Sequence, residues 1–236
     1  MTDLSTPLTQ ALSVQFAGPS RAWLKDLYAL DATLGQIGRQ GLAHEVAHVK
    51  LDWWREEITR LQQGEPRHPC TQALHAHRPK DPLYLRFDER LTAVEFELVG
   101  FAPTALAELL TWVDRSHGAL QRLIAVSLGG ADPVTLSRAG LSLGRGLGLR
   151  DWLIRAEVSE ELSRDGLLDL ATQSLDDAIG ALPPSAHRAQ RHGLVQATLA
   201  RAQLHAARDP SRGAPGALSQ YWRAFKTARA AQSTGA

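Results

Sequence analysis

The chain has 236 residues, 44% hydrophobic and 22% charged, enough to bury one sizeable core without a disulfide or structural metal. Its 26 lysines and arginines against 25 aspartates and glutamates leave a formal charge of +1, no global field for nucleic acid, so no nucleic-acid partner is expected. The single cysteine, Cys70, excludes an intramolecular disulfide and a cysteine-rich zinc site.

In chain order, a polar lead closes at Gly18, Pro19 and Ser20, and then Trp23, Leu24, Leu27, Leu30, Leu34 and Ile37 recur at helical spacing. Ser20 is placed to cap that helix and Gly41 to end it. A second helix is predicted from about Leu42 to Leu61, with Val46, Val49, Trp53 or Trp54, Ile58 and Leu61 as its buried stripe and Gly64-Glu65-Pro66 as its stop. The proline- and histidine-rich stretch from Pro66 to Pro82 reads as a short helix between loops. Helical spacing returns from Leu83 through Phe101 and, after Pro103, over Leu106, Leu109, Leu110, Val113, Leu120, Leu123 and Ile124. Gly129, Gly130 and Pro133 mark a turn into a helix through Leu136, Leu143, Leu147, Leu149 and Leu153, whose interleaved glycines predict close helix packing. Two more helices are expected over Leu162 to Ile179 and Ala186 to Ala207, with Asp209-Pro210 closing the last. After Pro215, Leu218, Tyr221, Trp222 and Phe225 share one face beside Arg223, Lys226 and Arg229, a pattern suited to an anionic membrane surface, a partner, or simple docking as a terminal helix.

The sum is an all-α protein of at least six helices and no sheet, one domain over 1–236, with a leader (1–19) and a basic tail (213–236) peripheral to it. Asp3 and the lack of a basic start before an apolar run predict no secretory leader, and Glu108, Asp114, Arg115 and Arg122 break the most apolar window, Leu106 to Leu128. The expected location is the cytoplasm, with peripheral contact to the inner membrane.

His44-Glu45-Val46-Ala47-His48 satisfies the pattern of a zinc hydrolase, in which two histidines one turn apart hold the metal and the glutamate activates its water. The third ligand is the difficulty, because Glu65 sits between Gly64 and Pro66 rather than on a second helix. An amphipathic helix with solvent-facing histidines accounts for the same residues. Gly144-Arg145-Gly146-Leu147-Gly148 has no preceding strand and reads as helix packing rather than nucleotide binding.

Three segments in order resemble the squalene/phytoene synthase family over about residues 20 to 170. They are Arg21 to Leu34, similar to the family's first aspartate-bearing helix; Lys50-Leu51-Asp52-Trp53-Trp54-Arg55-Glu56-Glu57 with its exit Gly64-Glu65-Pro66-Arg67-His68-Pro69; and Thr111 to Leu128 followed by Leu143 to Ala156, similar to the helix pair that carries the second aspartate motif. The resemblance implies an isoprenoid synthase-like bundle around a central cavity for prenyl chains. Active members hold magnesium between two opposed aspartate clusters to neutralise a departing diphosphate. Here the first cluster keeps only Asp31, followed by Ala32, Thr33, Leu34 and Gly35; at the second, Asp151 stands where the family often has asparagine, and Ile154, Arg155 and Ser159 replace the usual acidic steps. Asp31, Asp151 and Glu157 are the candidate metal or diphosphate remnants, and Glu160 and Glu161 could add carboxylates a turn away. Lys50, Arg55, Arg145, Arg150 and Arg155 are the candidate anion-binding residues without metal. The segment Gly144 to Ala156 looks closest to a motif-degenerate subset that resembles respiratory complex I assembly factors. The implied function is therefore a non-catalytic or altered relative with no cofactor, which binds a prenyl diphosphate or isoprenoid lipid or aids assembly of a membrane respiratory enzyme through a membrane-protein partner. The alternatives are an active, magnesium-dependent prenyltransferase joining two prenyl diphosphates and, third, the zinc hydrolase.

Overall fold

The computed structural model describes residues 5–39, 43–79, 87–155, 162–209, 211 and 213–234, and among these every regular element is helical. In order they are α1 (Ser5–Gln15), α2 (Arg21–Arg39), α3 (His44–Gln63), α4 (Pro69–Ala76), α5 (Phe87–Leu98), α6 (Leu106–Val113), α7 (Ala119–Leu128), α8 (Pro133–Arg155), α9 (Arg164–Gly180), α10 (Arg191–Arg208) and α11 (Ala217–Ser233). The expected helix end at Gly41 and the starts at Leu42 and Leu83 lie outside the described residues, as does Pro210. Ser20 belongs to a one-turn helix, Gly18–Ser20, that runs directly into α2. The lead proves to be helix α1, whose Thr9, Leu12 and Ser13 are buried.

Two large apolar cores form, beside a smaller one under α11. The first gathers the expected stripe of α2 with Leu51, Trp54, Ile58 and Leu61 of α3, Phe87 and Leu91 of α5, and Leu120, Leu123 and Ile124 of α7. The second gathers Leu109 and Val113 of α6 with the leucines of α8 and α9 and the inner face of α10. Val113 and Leu120 stand seven residues apart and would share a face of an uninterrupted α-helix. They serve different cores because a π turn, Asp114–Gly118, joins α6 to α7 and resets the phase of the side chains.

Helix α8 lies against this rod through glycines spaced by four. A Cβ on Gly144 would stand 2.5 Å from both the Gly118 Cα and the His117 carbonyl oxygen, and one on Gly140 would stand 2.6 Å from the Gln121 carbonyl. The backbones touch only because no side chain intervenes, which realises the close packing expected from the glycine-rich patch.

The buried stripe of α3 differs from the expected one. Ala47, Leu51, Trp54, Glu57, Ile58 and Leu61 face inward, whereas Val46, Val49 and Trp53 are exposed. Register is decided by Glu57, which is fully buried and accepts from the amides of Arg67 and His68 at 2.8 Å each, from the Thr71 hydroxyl, and from Arg60 Nε at 2.9 Å. Gly64, at φ 85°, turns the chain so that these donors reach back to α3. Burial alone would raise the Glu57 pKa, but the His68 amide, Thr71, Arg60 and the Arg67 amide together hold it at about 2, below the ordinary 4.5. A carboxyl depressed on folding adds stability above its unfolded pKa and loses it as pH falls toward the folded one. The shift corresponds to about 3 kcal/mol. Glu57→Gln is therefore expected to be less stable than the parent by about this amount at pH 7, with the gap closing between pH 4.5 and about 2, as measured by urea unfolding at each pH.

Candidate functional site

Tyr28 and Asp31 sit one turn apart on α2, so the face that feeds the first core also carries the buried Tyr28 hydroxyl and, at its margin, the half-buried Asp31. Asp31 Oδ1 accepts from Arg90 Nε at 2.6 Å, and Arg90, buried on α5, also lies 3.7 Å from Glu97. Burial works against the Arg90 charge, and Asp31 and then Glu97 more than restore it, so its pKa is raised.

Asp151 is buried on α8. Its Oδ1 accepts from Arg150 Nε at 2.8 Å and Nη2 at 2.5 Å, and its Oδ2 is 3.3 Å from Nε2 of His117, a residue of the π turn. Arg150 Nη1 donates onward to Gln203 of α10 at 3.2 Å, and Gln203 donates to Thr9 of α1 at 3.0 Å. A polar chain thus crosses the second core from the π turn to the N-terminal helix.

Within reach of the charges of Asp31 and Arg150 lies an uncharged quartet. The Tyr28 hydroxyl accepts from Gln121 at 3.1 Å and Gln196 at 3.0 Å and meets His192 Nε2 at 3.1 Å. Burial pushes the Tyr28 hydroxyl well up, against the pull of Gln121 and Gln196, and the charges of Asp31 and Arg150 both reach it. Burial alone holds the His192 imidazole at about 3, so it stays neutral. Among the described residues, the Oε1 atoms of Gln121 and Gln196 and the Nδ1 of His192 have no hydrogen-bond partner, so this neutral centre retains hydrogen-bonding capacity.

Of the candidate cations, Arg145 pairs bidentately with Asp114 of the π turn at 3.0 and 2.6 Å, and Arg55 binds Asp52 at 2.7 Å and Glu95 of α5. Arg150 is committed to Asp151 as described, and Lys50 is exposed on α3. Arg155 ends α8, but its side chain lies outside the described residues, together with Glu157, Glu160 and Glu161. The structure therefore brings Asp151 and Arg150 together and sets Asp31 and Arg150 around Tyr28, while Lys50 and Arg55 stand on another helix and Arg145 braces the π turn.

Aromatic rings adjoin the Asp151 end. Phe96 and Phe101 lie 5.7 Å apart, Phe101 stacks on Trp112 at 6.2 Å, and Trp112 meets both Trp152 at 5.8 Å and His117 at 6.0 Å. Arg115 lies over Phe96 at 5.5 Å. The indole nitrogens of Trp112 and Trp152 are buried without a partner among the described residues.

The histidines of the zinc-like motif face each other, with Nε2 atoms 3.0 Å apart at an exposed position of α3. Glu65 is exposed just past the end of that helix, and among the described residues no group of three histidine, cysteine or acidic side chains gathers as metal ligands do.

A sequence model of the squalene/phytoene synthase family matches residues 10–208. The chain belongs to the squalene/phytoene synthase family. The match takes in more of both ends than the segments between 20 and 170, and the all-helical architecture agrees with that family's fold. No match was found among curated proteins. Measured against the family's magnesium clusters, the described residues do not fit. Asp31 and Asp151 are each already bound by a guanidinium of the chain, and among the described residues no third acidic or histidine side chain gathers with them, whereas a hard divalent cation takes about six oxygen ligands shared among several donors. Reading the sequence for ligands overlooked Arg90, His117 and the Tyr28 quartet. A signal existed for some of them: Arg90 shares a helical face with Phe87, Leu91 and Val94, and His192 and Gln196 share one with Val195 and Leu199, so polar residues occupy core positions.

Proposed function

We propose that this member of the squalene/phytoene synthase family works in the cytoplasm as an isoprenoid-binding protein that does not condense two prenyl diphosphates. The observation that carries the reading is internal neutralisation: Arg90 answers Asp31, and Arg150 with His117 answers Asp151. Electrostatic stabilisation of developing charge is usually the largest catalytic contribution. A carboxylate spent on an internal arginine has little left for a metal that must neutralise a leaving diphosphate. Arg55, Arg145 and Arg150 are likewise engaged, so a diphosphate would compete with a carboxylate of the chain for each of them. The aromatic wall of Phe101, Trp112 and Trp152 beside the Asp151 network suits an unsaturated hydrocarbon chain. Such binding is what a role in assembling a membrane respiratory enzyme would draw on.

The test is incubation of the purified chain with farnesyl or geranylgeranyl diphosphate and magnesium. The expected result is no C30 or C40 hydrocarbon by gas chromatography, together with saturable quenching of tryptophan fluorescence by a prenyl alcohol that weakens in Trp112→Leu. A condensed product that disappears in Asp31→Ala or Asp151→Ala would instead establish an active prenyltransferase.

A further inference from the structure

Helix α11 docks on the body by a narrow stripe. Gln220, Ala224, Ala228 and Ala231 are buried, and Ala224 and Ala228 join Leu12 of α1 and Val195 and Leu199 of α10 in a small third core. Its large apolar residues point elsewhere. Leu218 is 72% exposed, Trp222 53% and Tyr221 45%, three of the largest solvent-facing apolar side chains described, within two turns. They form one continuous surface, because Tyr221 and Trp222 lie 6.4 Å apart, Trp222 and Phe225 5.7 Å, and Phe16 at the end of α1 closes the group 5.8 Å from Tyr221.

The charge around this surface has one sign. Arg223, Lys226 and Arg229 are exposed and α11 contains no acidic residue. Lys226 follows Trp222, and Arg229 follows Phe225, by one turn on the same side of the helix, so the cations rim the aromatic patch. A folded protein partner of arbitrary surface has no need of this pairing of an indole, a phenol and a leucine with an unbroken cationic rim. A lipid surface does: tryptophan and tyrosine favour the headgroup level, an amphipathic helix lies in that plane with its apolar side down, and each nearby lysine or arginine gains from anionic headgroups. No described helix is long and apolar enough to cross a membrane, so contact through these residues would be in the plane of the surface.

We propose that the outer face of α11, with Leu218, Tyr221 and Trp222 as the inserted residues and Arg223, Lys226 and Arg229 as the electrostatic rim, docks this protein on an anionic lipid bilayer. The proposal is independent of what the interior binds.

The experiment is co-sedimentation of the full chain with vesicles of phosphatidylcholine alone and of phosphatidylcholine mixed equally with phosphatidylglycerol. Binding to the mixed vesicles is expected to exceed binding to the neutral ones and to fall as salt is raised. Arg223→Glu with Lys226→Glu and Arg229→Glu should weaken it by roughly tenfold or more, and Trp222→Ser by several-fold. All four positions are exposed, and an unchanged circular dichroism spectrum verifies folding. Val49→Ser with Trp53→Ser, which removes exposed apolar groups of α3 instead, should leave binding intact. Equal sedimentation with both vesicle types, or unchanged binding by the charge-reversed protein, would overturn the proposal. So would a concentration-dependent dimer by light scattering that Trp222→Ser dissociates, because the patch would then be covered by a second copy.

Discussion

Gly144→Ala is expected to lower stability by about 3 kcal/mol or more and the melting midpoint by roughly 6–12 °C, if the chain still folds. The added methyl would stand 2.5 Å from the Gly118 Cα and the His117 carbonyl oxygen, and both obstacles are backbone. No side-chain rotation relieves the overlap, so α8 must move away from the rod of α6, the π turn and α7. That movement also separates Asp151 from His117, so loss of stability and disturbance of the polar chain should appear together. Gly180→Ala is the control: a Cβ there meets nothing within 4 Å, and the change should be neutral or slightly stabilising. Thermal unfolding followed by circular dichroism separates the two, and a Gly144→Ala protein as stable as the Gly180→Ala one would disprove the backbone contact.

The second large effect is expected at the buried pair. Arg150→Met removes the two-point guanidinium partner of the buried Asp151, and breaking a buried ion pair from one side costs about 3–5 kcal/mol, on the order of 10 °C in melting midpoint. Adding Asp151→Leu removes the buried charge as well and should recover much of the loss. A double-mutant cycle by urea unfolding reads this directly: strong non-additivity supports the pairing, whereas two losses that simply add would mean that Arg150 contributes packing alone. The same cycle bears on function, since a carboxylate that stabilises the fold through an arginine is not held in readiness for a metal.

The contrast between α2 and α3 shows what could be read from the chain. In α2 the residues at helical spacing are all large and apolar, so only one face can be buried, and Trp23 through Ile37 are where they were expected. In α3 two adjacent faces compete, one with Val46, Val49 and Trp53, the other with Ala47, Leu51 and Trp54. The second wins because it also carries Glu57, whose burial is compensated by donors ten to fourteen residues later. No local pattern announces that compensation. The tail repeats the point with opposite sense: α11 buries its alanines and turns its aromatics to solvent, because small residues allow close approach to α10.

For the site, the thinning of the aspartate motifs around Asp31 and Asp151 and the family itself were legible, since both are carried by short runs of residues. The partners of those aspartates were not. Arg90 is 59 residues from Asp31, His117 is 34 from Asp151, and Tyr28 is 164 from His192. The π turn that aims His117 has no signature in Asp114-Arg115-Ser116-His117-Gly118.

By itself, then, the sequence determined helicity, the close approach of α8 through its glycines, membership of the squalene/phytoene synthase family and the thinning of its aspartate motifs, because each follows from residue type at short spacing. Only the tertiary structure decided which face of α3 and α11 turns inward, which cation answers each carboxylate and which neutral side chains gather around Tyr28. The reason is physical: burial and ion pairing depend on groups brought together by packing across the whole chain, and their energies exceed the local preferences from which a sequence is read.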